Sequence, residues 1–269
     1  MIKINIKNLY KSFGSGSENV LSLLEKGMSK EEIFEETGQT LGLIDISLSV
    51  YSGKIFVVMG LSGSGKSTLL RSINRLIEPS AGEIIIDGVN ILEFNKVQLR
   101  KFRREKTGMV FQHFGLLPHR TVQENIAYGL KIQGVGKAQR NKQADTWIET
   151  VGLTGYAQAY PEQLSGGMRQ RVGLARAFCT DPEILLMDEP FSALDPLIRR
   201  EMQEELISLQ EKFKKTVIFI SHDLREALRI GDYIAILRDG RIIQVGTPED
   251  ILNNPADDYV AAFVQESNH

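Results

Sequence analysis

Short apolar runs recur along the chain, with helical patterns between them. Four runs are apolar at almost every position, and they cover residues 55–60, 183–188, 216–221 and 233–237. A strand that is apolar on both faces is typical of a parallel sheet covered by helices on each side. The hydrophobic pattern therefore predicts an α/β fold with a mostly parallel sheet.

Other segments have the patterns of antiparallel strands. They are the N-terminal stretch MIKINIKNLYK, residues 45–54 and residues 82–88. Residues from about 112 to 180 show longer helical patterns and few strand signals. We therefore expect an antiparallel β subdomain and an inserted helical subdomain within a single domain that covers residues 1–269.

Two further segments predict short helices at the edges of this domain. Residues 15–41 carry two amphipathic helical patterns, the second preceded by a capping box of serine and glutamate. Residues 247–269 contain a threonine and an asparagine that each stand directly before a proline, as at the start of a helix. We expect a helical insertion at the sheet edge and two C-terminal helices.

Composition narrows the class of protein. The 269 residues are 42% hydrophobic and 25% charged, as in ordinary globular proteins. A net charge of −2 argues against nucleic-acid binding through bulk positive charge. No stretch of eighteen apolar residues predicts a membrane span, so a link to a membrane would need a partner. The single cysteine, Cys179, lies in the apolar spacing of a helix and predicts a buried thiol.

The segment GLSGSGKS follows the first apolar run and precedes the helical pattern TLLRSINRL. It fits the phosphate-binding loop, or P-loop, G-x-x-x-x-G-K-[ST] at every fixed position from Gly60 to Ser67. In such a loop the backbone N–H groups bind the β-phosphate and the lysine, here Lys66, reaches the β- and γ-oxygens. The last hydroxyl binds Mg²⁺, so the segment predicts a site for ATP and Mg²⁺.

Polar side chains follow two other apolar runs. Asp188 and Glu189 come at the end of EILLMD, and His222 directly follows TVIFIS. Because the carboxyl ends of parallel strands meet at one edge of a sheet, we expect these side chains near Lys66. Asp188 would hold Mg²⁺ through water, Glu189 would activate the attacking water, and His222 would contact the γ-phosphate.

A second helix start has the features of an anion site. Residues 164–171 read LSGGMRQR, in which Ser165 is a suitable N-cap and Gly166 and Gly167 leave the first backbone N–H groups uncovered. A helix N-terminus presents free donors and a partial positive charge. The chain therefore has a second predicted phosphate site, with Ser165 100 residues after Gly65.

In this order the motifs resemble those of the nucleotide-binding subunits of ABC transporters. GLSGSGKS matches the Walker A motif, FQHFGLLPH the Q-loop, LSGGMRQR the signature, ILLMDE the Walker B motif, SALD the D-loop and SHD the H-loop. A P-loop with LSGG at this spacing is close to diagnostic, and the match covers nearly the whole chain. The resemblance implies the ABC ATPase fold, with Gln112 touching Mg²⁺ and the attacking water.

In that family the signature of one subunit binds the γ-phosphate held by the other subunit's P-loop. The resemblance therefore implies that two copies of the chain pack head to tail around two ATP molecules. Met168 stands where the wider family usually has glutamine, which removes a side-chain contact but keeps the backbone contacts. The residues expected to come from the opposite subunit are Ser165, Gly166, Gly167, Met168 and Asp195.

The family also stacks an aromatic residue on the adenine. Phe13 in KSFG is the matching position, and Tyr10 is the alternative. The contacts expected within one chain are Phe13, Gly60, Leu61, Ser62, Gly63, Ser64, Gly65, Lys66, Ser67, Thr68, Gln112, Asp188 and His222. Those expected to act in catalysis are Lys66, Gln112, Glu189 and His222, and those expected to hold the metal are Ser67, Gln112 and Asp188.

Finer resemblance indicates an importer of osmoprotectants. NRLIEPSAGEIIIDG, LLPHRTVQENIAYG, ILNNPADDYV and the insertion ending in ETGQTLGL are similar to ATPases that energise uptake of glycine betaine, proline betaine and related quaternary amines such as choline. This group implies transmembrane permease subunits, an indirectly acting substrate-binding protein and a peripheral position on the cytoplasmic face of the membrane. Many members continue into CBS domains, which we do not expect in this sequence because it stops at His269, where the chain either ends naturally or is shortened.

Other functions fit the motifs less well. A nucleic-acid-acting ABC-type ATPase is disfavoured by the near-neutral charge, and the basic run LRKFRREK is typical of a solvated helix face. A small-molecule kinase would have no use for LSGG. An exporter is disfavoured by the importer-like FGLLPHRTVQEN, whereas another amine or an amino acid stays open as the substrate.

Overall fold

The computed structural model describes residues 1–14 and 18–266. Residues 15–17 of the predicted insertion and residues 267–269 of the predicted C-terminal segment lie outside the described residues. No helix in the described ranges combines the length and the apolar character that crossing a membrane requires.

Ten strands occur in the described residues. They are β1 (Ile2–Phe13), β2 (Thr40–Tyr51), β3 (Ile55–Met59), β4 (Ala81–Ile86), β5 (Val89–Asn90), β6 (Thr107–Val110), β7 (Ile184–Asp188), β8 (Thr216–Ser221), β9 (Tyr233–Arg238) and β10 (Arg241–Gly246). The four apolar runs of the sequence are β3, β7, β8 and β9, which confirms the α/β prediction.

Twelve α-helices also occur in the described residues. They are α1 (Glu18–Glu25), α2 (Lys30–Thr37), α3 (Lys66–Ile73), α4 (Lys96–Glu105), α5 (Val122–Ile126), α6 (Tyr128–Ile132), α7 (Lys137–Thr150), α8 (Gly166–Cys179), α9 (Pro196–Phe213), α10 (Leu224–Ile230), α11 (Pro248–Asn253) and α12 (Asp258–Glu266).

The predicted start of the last helix is wrong. The pair Asn254-Pro255 does not begin a helix, and α12 starts at Asp258. The Asp257 carboxylate accepts a hydrogen bond from the Val260 backbone N–H at 2.9 Å. A carboxylate that accepts from an N–H of the first turn is the usual N-cap arrangement, which fixes the helix start after Asp257.

The chain forms two compact units. The first contains residues 1–52, 56–94 and 222–269, and the second contains residues 53–55 and 95–221. Most boundaries fall between strands and helices, but the one between residues 55 and 56 lies within β3, whose other four residues belong to the first unit.

The first unit has an antiparallel sheet in the order β2-β1-β4-β5. β1 is central, with Ile4 opposite Val50 of β2 and Ile86 of β4. Its alternating pattern buries one face, as the alternation in MIKINIKNLYK predicts. The same unit holds β9 between parallel β3 and antiparallel β10.

The insertion of the first unit consists of α1, α2 and the start of β2. The capping box predicted at the start of α2 is present, because Ser29 and Glu32 each accept from the other's backbone N–H. A small apolar cluster joins the two helices to β2, and we call it the insertion core. Its buried members are Val20, Leu23, Ile33, Leu41 and Ile44.

The second unit has three parallel strands in the order β8-β7-β6. Residues 111–183, all of them described, contain helices and no strand. Val122, Ile148 and Val172 belong to a buried cluster that packs α5, α7 and α8 together. Cys179 belongs to the same cluster, and burial raises the pKa of its thiol to about 12, so it is an unreactive core residue.

Candidate functional site

The P-loop connects β3 to α3 with a backbone that only glycine fits at two positions. Gly60 has φ of 149°, and a Cβ there would lie 2.1 Å from the Leu237 carbonyl oxygen. Gly65, the N-cap of α3, has φ of 104°, and a Cβ there would lie 2.5 Å from the Gly42 carbonyl oxygen. These close contacts require glycine at both positions. Because glycine has no side chain, the backbone N–H groups of the first turn of α3 stay uncovered.

Lys66 is the first residue of α3 and is only 5% exposed. Its ammonium group donates hydrogen bonds of 2.9 Å to the carbonyl oxygens of Gly60 and Leu61. Carbonyl oxygens carry no formal charge, so a phosphate oxygen would be a stronger partner for this buried cation. The loop therefore has the geometry and the charge of an anion site.

The remaining P-loop residues differ in exposure. Leu61, Ser62 and Gly63 are exposed, whereas Ser67 and Thr68 are half-buried at the start of α3. Ser64 is buried, and its hydroxyl oxygen has no hydrogen-bond partner among the described residues. A buried polar atom of this kind is usually satisfied by a bound molecule or by water.

Phe13 and Tyr10 lie on β1 with different surroundings. Phe13 is 40% exposed, and the Lys11 ammonium lies 5.0 Å from the centroid of its ring. Tyr10 packs against the insertion core, and burial, then the negative charge of Asp45, raises the pKa of its hydroxyl. An exposed ring can stack on a base, and of the two only Phe13 is exposed.

His222 follows β8 and belongs to the first unit. Its side chain is exposed. The next residue, Asp223, caps α10 by accepting hydrogen bonds from the backbone N–H groups of Arg225 and Glu226. The cap fixes the chain direction directly after His222.

In the second unit, Asp188 and Glu189 stand at the C-terminal end of β7. Asp188 is 2% exposed, and Glu189 is half-buried with φ of 45°. A left-handed backbone at a glutamate costs about 1–2 kcal/mol, and such strain is concentrated at functional sites. The Glu189 carbonyl oxygen accepts from the Ser192 hydroxyl at 3.0 Å, which helps to hold this turn.

Gln112 follows the neighbouring strand β6. β6 and β7 run parallel with Val110 opposite Met187, so Gln112 and Asp188 leave the sheet at the same edge. Gln112 is exposed. Arg176 of α8 holds the loop after it, donating to the carbonyl oxygens of Gly115 at 2.6 Å and Phe114 at 2.9 Å.

The signature motif begins α8. Ser165 is exposed, and its hydroxyl oxygen accepts from the Met168 backbone N–H at 3.2 Å. A Cβ on Gly167 would lie 2.7 Å from Ile198 Cγ2 of α9, whereas one on Gly166 would meet only Leu194 Cδ2, at 3.5 Å. Packing against α9 therefore requires glycine at position 167 and permits a larger residue at position 166.

Two other residues predicted to contact the opposite nucleotide, Met168 and Asp195, interact with residues of their own unit. Met168 is half-buried and packs against the helical cluster of α5, α7 and α8. Asp195 is exposed and caps α9, its carboxylate accepting from the Ile198 backbone N–H at 3.1 Å. Met168 thus directs its side chain towards its own unit, and Asp195 fixes the start of the helix that crowds Gly167.

Sequence reasoning missed three residues that shape these motifs. Gly42 lies against the N-cap of α3, Arg176 fastens the loop after Gln112, and Ile198 covers Gly167. Each acts on a residue far away in the sequence, and only the repeated glycines gave a local signal. The motifs could be predicted from the sequence, but the residues that pack against them and hold them could not.

An α/β fold with a glycine-rich phosphate loop and an acidic strand end defines the class of P-loop nucleotide-binding proteins. The ABC transporter family model matches residues 43–192. The chain is 57% identical over 262 residues to the glycine betaine/proline betaine transport system ATP-binding protein ProV of Salmonella typhimurium, covering 97% of this chain and 66% of ProV. It is 49% identical to the trimethylamine N-oxide transport system ATP-binding protein TmoW of Pelagibacter ubique, covering 98% of this chain and 77% of TmoW.

A solved structure is also similar. The dimeric ATP-binding cassette MJ0796 in a post-hydrolysis state bound to ADP and Pi matches with a TM-score of 0.76 and 32% identity, covering 91% of this chain and 98% of that one. The chain belongs to the family of ABC transporter ATP-binding proteins, which confirms the resemblance drawn from its motifs and its fold class. It spans 66% of ProV, just under two thirds of that relative's length.

Proposed function

We propose that this chain binds and hydrolyses ATP as the energising subunit of an ABC importer for a quaternary amine osmoprotectant. The observation that carries the proposal is the buried Lys66 ammonium, held by two carbonyl oxygens inside a loop that only glycine can build. Such a loop selects phosphate through backbone N–H groups and one cation. The similarity to ProV supports the coupling to transport.

Residues of the first unit would bind the phosphates and the base of the nucleotide. The P-loop from Gly60 to Ser67, followed by Thr68, fits the phosphates, because its glycine backbone is uncovered and the Ser64 hydroxyl is buried without a partner in the described chain. Phe13 fits the base, since its ring is exposed. We assign both roles to the chain's own ATP.

Mg²⁺ would stabilise the charge on the phosphate oxygens during hydrolysis. Ser67, Gln112 and Asp188 are the residues we assign to it. A hydroxyl, an amide oxygen and a carboxylate are the oxygen ligands that Mg²⁺ accepts, and this ion is usually bound by few protein groups together with substrate phosphates. No group of three or more His, Cys, Asp or Glu side chains within residues 1–14 and 18–266 could hold a metal. Because this ion is usually bound together with substrate phosphates, we expect Mg²⁺ to enter with the nucleotide.

For hydrolysis we assign the water-activating role to Glu189. Glu189 stands at a strand end, is half-buried, and has a strained backbone whose carbonyl oxygen accepts from the Ser192 hydroxyl. Gln112 would orient the same water, and His222 would contact the γ-phosphate. Water would attack the phosphorus in line with the leaving oxygen, while the proton of the water passes to Glu189.

The working assembly would contain a second copy of this chain. MJ0796, a relative with 32% identity, is described as dimeric and bound to ADP and Pi. We infer that the start of α8, with Ser165 to Met168 and nearby Asp195, serves the ATP held by the other copy. Permease subunits and, indirectly, a substrate-binding protein would complete the importer at the cytoplasmic face of the membrane.

Glycine betaine, proline betaine and choline are the substrates we propose. ProV is named for glycine betaine and proline betaine, and the relative OpuBA of Bacillus subtilis, 45% identical, is named for choline. TmoW, named for trimethylamine N-oxide, supports a second candidate. All these solutes share a methylated nitrogen. Uptake of each labelled solute by the assembled importer would show which of them is transported.

The ATPase proposal is tested by Glu189→Gln. This variant should keep the affinity for ATP and lose about two to four orders of magnitude in turnover, because it removes the general base. Phosphate release and calorimetric ATP titration measure the two quantities. Glu183→Gln, the same change next to the other end of β7, is the matched control and should hydrolyse ATP as the unmodified chain does.

Two results would contradict this proposal. Turnover of Glu189→Gln close to that of the unmodified chain would remove Glu189 from the assigned role. An unmodified chain without measurable ATP binding would end the proposal as a whole.

A further inference from the structure

Between the pairing positions of Lys11 and Ser12, β2 carries one extra residue opposite β1, and that residue is Gly42. Leu41 pairs with Ser12 and Leu43 pairs with Lys11, so the register passes over Gly42. This arrangement is a β-bulge, which bends a strand and redirects its side chains and carbonyl groups. Bulges are common next to functional sites, and this one lies two residues into the strand that follows the insertion.

The bulge lies between the proposed base contact and the P-loop. A Cβ on Gly42 would lie 2.7 Å from Cε2 of the Phe13 ring and 3.5 Å from Cγ2 of Thr68. The Gly42 carbonyl oxygen is 2.5 Å from the Cβ position of Gly65, the N-cap of α3. The edge of the Phe13 ring therefore rests on the Gly42 backbone, and the same backbone touches the start of α3.

The insertion holds the bulge from the other side. Leu41 and Ile44, on either side of Gly42, are buried in the insertion core with Ile33 of α2. The Ile44 backbone N–H also donates to the Gly240 carbonyl oxygen at 2.8 Å. The β2 segment around Gly42 is thus fixed by apolar packing from α1 and α2 and by a backbone hydrogen bond.

We propose that the insertion, acting through the Gly42 bulge, positions the Phe13 ring beside the P-loop and so sets the affinity for the base of the nucleotide. The inference rests on the proposed ATP-binding function and gives the insertion a role in it. Gly42 and the insertion core are positioning residues that act through Phe13.

The test separates the base from the phosphates. Gly42→Ala places a methyl group where the Phe13 ring lies and should weaken Mg·ATP binding by about five- to a hundredfold, the range of one base–aromatic stack. Binding of inorganic tripolyphosphate with Mg²⁺, which has no base, should stay within about twofold. Isothermal titration with both ligands measures the difference.

A matched control uses another glycine without positive φ. At Gly136, where φ is −57°, an added Cβ would meet nothing within 4 Å. Gly136→Ala should bind both ligands as the unmodified chain does. It shows whether a glycine-to-alanine change by itself alters binding.

Double variants connect the insertion to the ring. Ile33→Ala, which leaves a gap in the insertion core, should weaken Mg·ATP binding and leave tripolyphosphate binding unchanged. Both Gly42→Ala and Ile33→Ala should add no further loss of ATP affinity in a Phe13→Ala background, because residues that act through one ring are not additive.

Four outcomes overturn the inference. Equal losses for ATP and tripolyphosphate would show that the bulge acts on the P-loop and not on the base contact. Unchanged ATP affinity in Gly42→Ala, or full additivity with Phe13→Ala, would separate the bulge from the ring. If the unmodified chain bound Mg·ATP no more tightly than tripolyphosphate with Mg²⁺, the base contact itself would be absent. If it bound neither ligand, the proposed function would fail first.

Discussion

Two helix starts carry the phosphate-binding motifs, and they are built differently. The start of α3 is enclosed by its own unit, with Lys66 5% exposed and Gly60 and Gly65 pressed against the carbonyl oxygens of other segments. The start of α8 is open, with an exposed Ser165 whose hydroxyl caps the helix. The first helix start has a cradle and a cation around it, and the second presents backbone donors at the surface.

The glycines have different roles at the two helix starts. In the P-loop, backbone carbonyl groups exclude any side chain, so glycine forms the cradle itself. In the signature, a side chain of α9 crowds Gly167 while Gly166 has ordinary space. The start of α8 packs against α9 at Gly167 and is exposed at Ser165. An exposed helix start of this kind can bind a ligand held by another molecule, which is the role we propose for α8.

We expect the largest difference in the free energy of unfolding between variants of the two signature glycines. Gly167→Ala should lower the free energy of unfolding by about 1–3 kcal/mol, because its methyl group would overlap the stiff, branched Ile198 side chain. Gly166→Ala, the matched control, should change it by less than about 0.5 kcal/mol, since its nearest neighbour is at 3.5 Å. Urea unfolding measures both values, and equal losses would show that α9 does not distinguish the two positions.

A smaller effect concerns the link between α8 and α9. Glu205 of α9 lies 2.9 Å from the Arg171 guanidinium of α8. Burial raises the pKa of the Glu205 carboxyl to about 7, although Arg171 opposes the shift and Glu201 adds to it. The folded chain therefore keeps a proton that the unfolded chain releases, and stability should fall as the pH rises from about 4.5 to 7.

This pH dependence is measurable as a difference between variants. Glu205→Gln should flatten the fall by about 1 kcal/mol across that window, less than the full value of the shift, because solvent screens the partly exposed carboxyl. Urea unfolding at pH 5 and pH 7.5 provides the measurement. The neighbouring and exposed Glu204, changed to Gln, should leave the slope as it is. A slope that Glu205→Gln does not alter would mean that Glu205 stays ionised beside Arg171 throughout.

The sequence allowed the prediction of elements whose signal is local. The runs that became β3, β7, β8 and β9 are apolar on both faces, and GLSGSGKS contains a complete loop motif within eight residues. The β6 strand was missed because its four residues, TGMV, include a glycine and are too short to show a period.

The supports of the site could not be predicted because they join distant residues. Arg176 donates to a carbonyl oxygen 62 positions earlier, and a backbone acceptor leaves no trace in the sequence of either residue. The Gly42 bulge depends on the register between β1 and β2, which neither strand specifies alone. The packing of Ile198 on Gly167 likewise requires the fold to be known.

We propose that the open start of α8 serves the ATP held by a second copy of the chain. Sedimentation of Lys66→Ala and Ser165→Arg chains with Mg·ATP, each alone and then mixed, tests it directly. A mixed pair contains one site with an intact Lys66 and an intact Ser165, so the mixture should form ATP-dependent dimers that neither variant forms alone. Normal ATP-dependent dimers of either variant alone, or a mixture that stays monomeric while the unmodified chain dimerises, would contradict the claim.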